Sequence, residues 1–334
     1  MTDSFRILGR SGLRVSAIGF GAWAIGGPFM ARGKPAGWGQ VDDEESVAAV
    51  RRALDLGVTF FDTADVYGTG HSERVLGRAL SGRWDEVVIA TKFGLTFDAA
   101  TRTLTGEDTS PGYIRRACRA SLERLGTDHI DLYQLHVGDA PPERVDEMIA
   151  ALEELVEEGL IRAYGWSTND PERAAAFAKG PHCAAVQHDL NVLHDTPAML
   201  AVCDTHELAS VNRGPLAMGL LTGKYGRDSR LPMDDVRGDS PQWMTFFKDG
   251  RPAPEFLAML EAIRDILTSD GRTLAQGALG WLLARSGRTV PIPGIRTADQ
   301  AEQNAGALRH GPLAQAQMEQ IHELLQPHAV VKSQ

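Results

Sequence analysis

The 334-residue chain reads as an α/β protein, a single (β/α)8 TIM barrel with an N-terminal β-hairpin and an extra C-terminal helix. Three observations predict this. Short apolar strand patterns alternate with helical patterns about eight times, which implies parallel strands joined by right-handed crossovers. Eight such units in a chain of this length close a barrel more readily than they extend an open sheet. No linker or low-complexity break divides residues 1–334, and α/β barrels of this size form one domain.

The elements follow in order. Arg6-Ile7-Leu8 and Leu13-Arg14-Val15 flank a Gly9-Arg10-Ser11-Gly12 turn and predict the hairpin. Residues 16–21 predict a buried strand, and a long Gly/Pro loop then runs to Val41. A helix is expected over 42–55, with Val47, Val50, Ala53 and Leu54 on one face. Strands at 58–61, 86–90, 129–134, 161–165, 184–187, 209–212 and 289–292 complete the barrel. Helices are expected at 72–80 (capped by Ser72), 142–158, 170–178, 197–206, 255–267, 273–284 and 297–308, and over 314–325 at the C-terminal end. The helix opened by Ser110-Pro111 and closed by Gly126 has cap, first-turn proline and terminal glycine in agreement. Residues 223–254 read as irregular.

Composition excludes several classes. Lys+Arg is 34 against 44 Asp+Glu, and a net charge of −10 argues against general nucleic-acid binding. Cys118, Cys183 and Cys203 are too few and too scattered for a disulfide framework or a zinc site, so no metal is expected. A reducing, cytoplasmic compartment follows. Residues 1–6 lack a basic segment followed by an apolar run, and nothing approaches the ~20 apolar residues of a membrane span. After the first strand, Gly19-Phe20-Gly21-Ala22-Trp23-Ala24-Ile25-Gly26 does not carry the glycine spacing of a Rossmann turn.

Barrel enzymes place their chemistry just past the C-terminal ends of the strands. Those positions hold Asp62 and Tyr67 after the second strand, Lys92 after the third and His136 after the fourth. A tyrosine has an ordinary pKa of ~10, and an adjacent ammonium is expected to lower it. A carboxylate paired with that ammonium keeps it charged and fixed. The histidine orients a substrate oxygen or shares the phenol's proton. Such a set suits proton delivery to a developing alkoxide while hydride arrives from elsewhere. Each residue also has a plainer role: Asp62 as a turn cap, Tyr67 as a packed aromatic, Lys92 as a loop lysine, His136 as a core histidine. Their joint placement on three successive strands favours the catalytic one.

The run Phe61-Asp62-Thr63-Ala64-Asp65-Val66-Tyr67-Gly68, with Glu73 and Leu76-Gly77, resembles the opening signature of the aldo-keto reductase family. So do Thr91-Lys92-Phe93-Gly94, Asp131-Leu132-Tyr133-Gln134-Leu135-His136, the segment from Gly214 to Tyr225, and Ile292-Pro293-Gly294-Ile295-Arg296 with Asn304. The likeness covers nearly the whole chain and is closest to bacterial-type members and the branch that contains channel β-subunits. It implies NADPH-dependent reduction of an aldehyde or ketone, with NADPH favoured over NADH. Tyr67 would donate the proton, Lys92 and Asp62 would tune it, and His136 would orient the carbonyl.

The resemblance also implies a coenzyme site. Gly21, Trp23 and Asp62 would line it. Ser167 and Gln187 would hold the nicotinamide carboxamide, with Thr168 or Asn169 as a second contact. Pro215, Leu216, Gly219, Leu221 and Lys224 would cover the pyrophosphate. Gly294 and Arg296, just before a helix N-terminus, suit the 2′-phosphate, and an arginine grips phosphate with two parallel bonds. Gln300, Gln303 and Asn304 would complete the adenosine pocket, although Thr297 and Gln300 also form a capping-box pattern. Arg213 stands where many members have a tyrosine stacked on the nicotinamide, so it would stack there or reach the pyrophosphate. Trp23, Trp38, Phe93 and Trp243 are candidates for the substrate pocket; Trp38, Trp243, Phe246 and Phe247 either line that pocket or anchor their loops. The remaining histidines and the acidic runs read as ordinary surface or helix-start residues. Two other functions use the same residues: a coenzyme-binding regulatory subunit with little turnover, and an NAD(P)-dependent sugar or polyol dehydrogenase.

Overall fold

A computed structural model describes residues 4–241 and 243–329 of the chain. Residues 1–3 of the segment read for a leader, and Gln242 of the 223–254 loop, lie outside the described residues. Eight parallel strands form the barrel: β1 (Phe20–Gly21), β2 (Phe60–Asp62), β3 (Val88–Phe93), β4 (Ile130–Leu135), β5 (Ile161–Ser167), β6 (Cys183–Asp189), β7 (Ala209–Arg213) and β8 (Thr289–Pro291). Each pairs with its sequence neighbour from β8 round to β1. Closure is made by backbone bonds across β1 and β8: the Gly19 N–H donates to the Pro291 carbonyl and the Gly21 N–H to the Pro293 carbonyl, both at 2.9 Å. Only glycine fits at position 21, because a Cβ there would lie 2.6 Å from the Ile292 carbonyl oxygen.

The outer ring comprises α1 (Asp43–Asp55), α2 (His71–Leu80), α3 (Pro111–Leu125), α4 (Val145–Glu157), α5 (Pro171–Phe177), α6 (Pro197–Thr205), α7 (Pro254–Leu267), α8 (Leu274–Arg285) and α9 (Ala298–His310), with α10 (Gln315–Ala329) packed on α7. The local start signals of α1, α3 and α8 hold. Asp42 caps α1 by accepting from the Glu44 and Glu45 amides, Ser110 caps α3, and Thr273 with Gln276 forms a full capping box on α8. The N-terminal hairpin, Phe5–Ile7 against Arg14–Ser16, sends Leu8 and Val15 into the barrel's inner cluster.

Alternation along the strands sorts the side chains into two layers. Phe60, Val88, Ala90, Leu132, Ala163, Ala185, Ala209, Val211, Val290 and Ile292 fill the barrel. The intervening residues, such as Phe61, Ile89, Phe93, Tyr133 and Tyr164, pack outward against the helices. Burial at about 25 cal/mol per Å² makes these two layers the main source of stability.

Three expectations need correction. Helix α2 starts at His71 after a left-handed Gly70, so Ser72 is not its cap; the Ser72 hydroxyl is buried, donating to the Ala22 carbonyl and accepting from Thr63 Oγ1. The loops are less irregular than their composition implies. Met30–Ala31, Lys34–Pro35, Leu95–Asp98 and Thr103–Glu107 form a four-stranded sheet over the barrel mouth, and Phe247–Lys248 pairs with Arg251–Pro252. The first turn of the expected 142–158 helix is a separate 3₁₀ turn, Pro142–Arg144.

Candidate active site

The inward face of each strand carries the apolar inner cluster and, two residues further on, polar groups. From Phe60, Ala90 and Leu132 the same face leads to Asp62, Lys92 and Gln134, then His136. Ser167, Gln187 and Arg213 occupy the equivalent places on β5, β6 and β7, and Gly294 lies beyond β8. The rim therefore gathers polar groups from the ends of six strands, β2 to β7, into one floor.

Lys92 is the hub. Its fully buried Nζ donates to Asp62 Oδ1 at 2.5 Å, to the Thr63 carbonyl at 2.7 Å and to Tyr67 Oη at 3.5 Å. The other Asp62 oxygen accepts from Gln134 Nε2 at 3.0 Å and Gln187 Nε2 at 2.8 Å. A buried acid at a strand end is costly unless partnered; here it has three donors. Burial acts to lower the Lys92 pKa, but Asp62 and Tyr67 outweigh it and hold the ammonium above its ordinary value.

Tyr67 stacks on Trp23, with ring centres 5.9 Å apart and planes 23° from parallel, and meets His136 edge-on at 5.8 Å. The expected lowering of its pKa does not prevail. Desolvation pushes the phenol above 10, and the Lys92 ammonium only partly offsets this. Burial, helped by Lys92 and Arg213, drives His136 well below its ordinary value, so it is neutral at pH 7. Its Nδ1 is buried with no partner among the described residues.

The remaining sites divide. Ser167 is 1% exposed and its Oγ lacks a partner, a buried polar atom poised for a ligand amide. Gln187 spends its amide group on Asp62, so only its carbonyl oxygen remains to meet a carboxamide. Neither candidate for a second contact is free: Thr168 donates to the Gly138 carbonyl, and Asn169 is tied to Asp189 through both side-chain atoms. Asp189 also pairs with Arg213 at 3.0 Å, which fixes the guanidinium at the end of β7.

In the segment after β7, Pro215, Leu216 and Leu221 are buried, and the two leucines sit in the second core cluster. Only their backbone is left for a coenzyme. Ala217, Met218 and Gly219 all have positive φ, and Lys224 is exposed. Gly294 is exposed beside β1, where a Cβ would meet only Ala24 at 3.5 Å. Arg296 donates to the carbonyls of Trp38 at 3.1 Å and Gln40 at 2.5 Å. The Gln300 side chain accepts from the Arg296 N–H, one residue before the Thr297 cap, so only half of the capping box forms: the Thr297 hydroxyl accepts from the Gln300 N–H. Gln303 gives its carbonyl to Gln276, and Asn304 is buried on α9.

Among the pocket aromatics, Trp23 touches Trp38 edge-on at 5.2 Å and Trp243 at 6.2 Å, and Trp243 is 57% exposed. Phe93 is wrongly placed in the expected pocket. It follows inward-facing Lys92, so it points outward, fully buried and packed on Tyr133 at 4.5 Å.

Two contributors escaped the sequence reading. Gln134 holds Asp62, and its signal was its inward register two residues before His136. Arg237 lies 4.5 Å from the Trp38 ring centre, held by Asp235 and donating to the Met218 carbonyl; nothing local marks it. Among the described residues no group of His, Cys, Asp and Glu is arranged to hold a metal, and no helix is long and apolar enough to cross a membrane.

A coenzyme fits this donor set: an orphaned Ser167 hydroxyl, a glycine-lined opening at Gly21 and Gly294, and Arg296 before the N-terminus of α9. Fold and site together define a barrel-type oxidoreductase. The profile of the aldo/keto reductase family matches residues 17–326, and the chain belongs to that family.

It is 34% identical to aldo-keto reductase yakc [NADP(+)] of Schizosaccharomyces pombe, over 92% of this chain and 88% of that one. It superposes on the glycerol dehydrogenase AKR11B4 from Gluconobacter oxydans with a TM-score of 0.81, at 30% identity over 98% of this chain and 96% of that one. An aldo-keto reductase from Klebsiella pneumoniae in complex with NADPH matches with a TM-score of 0.68, at 27% identity over 97% and 95% of the two chains.

Proposed function

We propose that the protein, read as one domain over residues 1–334, is a cytoplasmic NADPH-dependent carbonyl reductase in which Tyr67 is the proton donor. The observation that carries this is Lys92 Nζ, bonded to Asp62 at 2.5 Å and within 3.5 Å of a Tyr67 hydroxyl that keeps its proton at neutral pH. NADPH, when bound, supplies a hydride to the carbonyl carbon and leaves as NADP+. Tyr67 gives its proton to the oxygen, which becomes the alcohol hydroxyl. Lys92 stabilises the phenolate left behind, and Asp62 keeps Lys92 charged and in place. Neutral His136 hydrogen-bonds the carbonyl oxygen without adding charge.

Ser167 and the Gln187 carbonyl suit the carboxamide, and Arg296 suits the 2′-phosphate. The coenzyme assignment is supported by the NADP(+) relative and the NADPH-bound neighbour. The cytoplasmic setting is supported by three buried free cysteines.

Likeness to a glycerol dehydrogenase favours a second reading, the same residues run as alcohol oxidation. The raised Tyr67 pKa disfavours that direction near neutrality, because oxidation needs the phenolate. The test is a panel of aldehydes, ketones and polyols followed by NADPH or NADH absorbance. Tyr67→Phe should reduce turnover by about 10²-fold or more, in line with the worth of a general acid; carbonyl reduction at the wild-type rate by that variant refutes the assignment. Negligible turnover by the wild type, with an obligate protein complex, would point instead to a regulatory subunit. Arg213, fixed by Asp189, stacks on the nicotinamide or contacts the pyrophosphate. An Arg213→Ala variant with unchanged NADPH affinity and rate would remove it from the site.

A further inference from the structure

The substrate wall at Trp38 is bonded to the residue placed at the coenzyme's far end. Arg296 Nη1 donates to the Trp38 carbonyl and Nη2 to the Gln40 carbonyl. These are the two nitrogens of the guanidinium fork that a bidentate phosphate grip uses. From Trp38 the contacts run without a break to the chemistry: its ring meets Trp23 edge-on at 5.2 Å, and Trp23 stacks on Tyr67 at 5.9 Å. A second observation marks the Trp38 position as unfinished. Its indole Nε1 is buried and has no hydrogen-bond partner among the described residues. A buried donor left unpaired is a destabilised arrangement that a small movement can relieve. Arg237 lies over the same ring, 4.5 Å from its centre, and its guanidinium also bonds the Met218 carbonyl in the segment assigned to the pyrophosphate.

We propose that Arg296 is a positioning residue that couples the coenzyme 2′-phosphate to the substrate pocket. The phosphate competes with the Trp38 and Gln40 carbonyls for the guanidinium, segment 36–40 shifts, and Trp38 resettles against Trp23 beside Tyr67. The inference rests on the NADPH reading above. It makes the substrate pocket depend on which nicotinamide coenzyme is bound, so one carbonyl substrate has different KM values with NADPH and NADH.

Two measurements test it. Adenosine 2′,5′-bisphosphate, which carries the phosphate but no hydride, is titrated against tryptophan fluorescence, with saturation fixed by calorimetry and adenosine 5′-monophosphate as the control. The expected result is an emission change with the bisphosphate only, more than halved in Trp38→Phe. For kinetics, the wild-type KM for one aldehyde should differ at least threefold between the two coenzymes. In Arg296→Ala, or in Arg296→Lys where the alanine variant does not fold, that ratio should fall to near one. The coupling is overturned if the bisphosphate does not bind, if it binds with no Trp38-dependent change, or if the KM ratio is one in the wild type or persists in the variant. Absence of NADPH-driven reduction by the wild type would instead overturn the proposed function itself, so the two failures are distinguishable.

Discussion

Consider removing Asp62 and Lys92 singly and together. The pair is nearly solvent-free, with side chains 3% and 0% exposed. All three ammonium hydrogens have acceptors, on Asp62, Thr63 and Tyr67. Asp62→Leu leaves that ammonium facing only two neutral oxygens, and breaking a buried pair in this way costs about 3–5 kcal/mol. Gln134 and Gln187 also lose their acceptor, adding about 1 kcal/mol each. Lys92→Met is milder, about 3 kcal/mol, because the stranded carboxylate keeps two amide donors. Additivity would then put the double variant near 8–10 kcal/mol, at the edge of what a domain of this kind can lose. The double variant instead removes both charges. Gln187 Nε2 already lies 3.4 Å from Gln134 Oε1, so the two amides can satisfy each other. Its loss should be about 2–4 kcal/mol, smaller than that of Asp62→Leu alone. Urea denaturation of all four proteins measures this, provided the m-value is constant. Additive losses within about 0.5 kcal/mol would show that the two side chains are not energetically linked, and would refute the account of the hub.

Two pH effects follow from the other buried groups. With Tyr67 as the proposed proton donor, reduction would require its protonated form, whose pKa burial raises above 10, so kcat/KM for reduction should show no alkaline loss below about pH 10. Alcohol oxidation should rise with pH across the same interval, and a reduction limb centred near pH 8 would contradict the assignment. His188 is buried against Ser210 and Thr196, and burial lowers its pKa to about 4. The unfolded chain therefore takes up this proton first, so the His188 contribution is intact above pH 6.5 and is lost as pH falls toward 4. The window corresponds to about 3 kcal/mol. The stability gap between wild type and His188→Asn should shrink by about that amount between pH 7 and 4 in chemical denaturation, and a gap independent of pH would count against it.

Much of the barrel was legible because its signals are local and periodic. Asp42, Ser110 and Thr273 sit where their helices begin, and the strands alternate so that Asp62, Lys92 and His136 share one face. The same rule, applied one residue further, would have excluded Phe93 from the pocket: neighbours on a strand face opposite ways. The sheet over the mouth was not legible. Its strands at Met30–Ala31 and Lys34–Pro35 are too short for any alternation, and the pairing of Met30–Ala31 with Thr103–Glu107 joins segments some seventy residues apart. Arg237 was hidden for a related reason. Its partners Trp38, Met218 and Tyr225 come from two separate loops, and no spacing within either predicts the contact.

The direction of the Tyr67 shift separates two accounts of the hub. If Lys92 acted mainly to ionise the phenol at rest, the ammonium would sit close to Tyr67 and outweigh its burial. The distances say otherwise: 2.5 Å to Asp62 but 3.5 Å to the phenol, with Trp23 and His136 closing round the ring. Lys92 is neutralised mostly by Asp62, and the phenol keeps its proton. That arrangement suits a donor. In the proposed mechanism negative charge would form on the substrate oxygen first, the proton would move, and only then would the phenolate draw on the Lys92 field. An interaction stronger after proton transfer than before it lowers the barrier, whereas one already spent in the resting state does not. Under the proposed assignment Asp62 would act by holding the ammonium slightly away from the group it serves, and shortening the Lys92 to Tyr67 contact would weaken the donor.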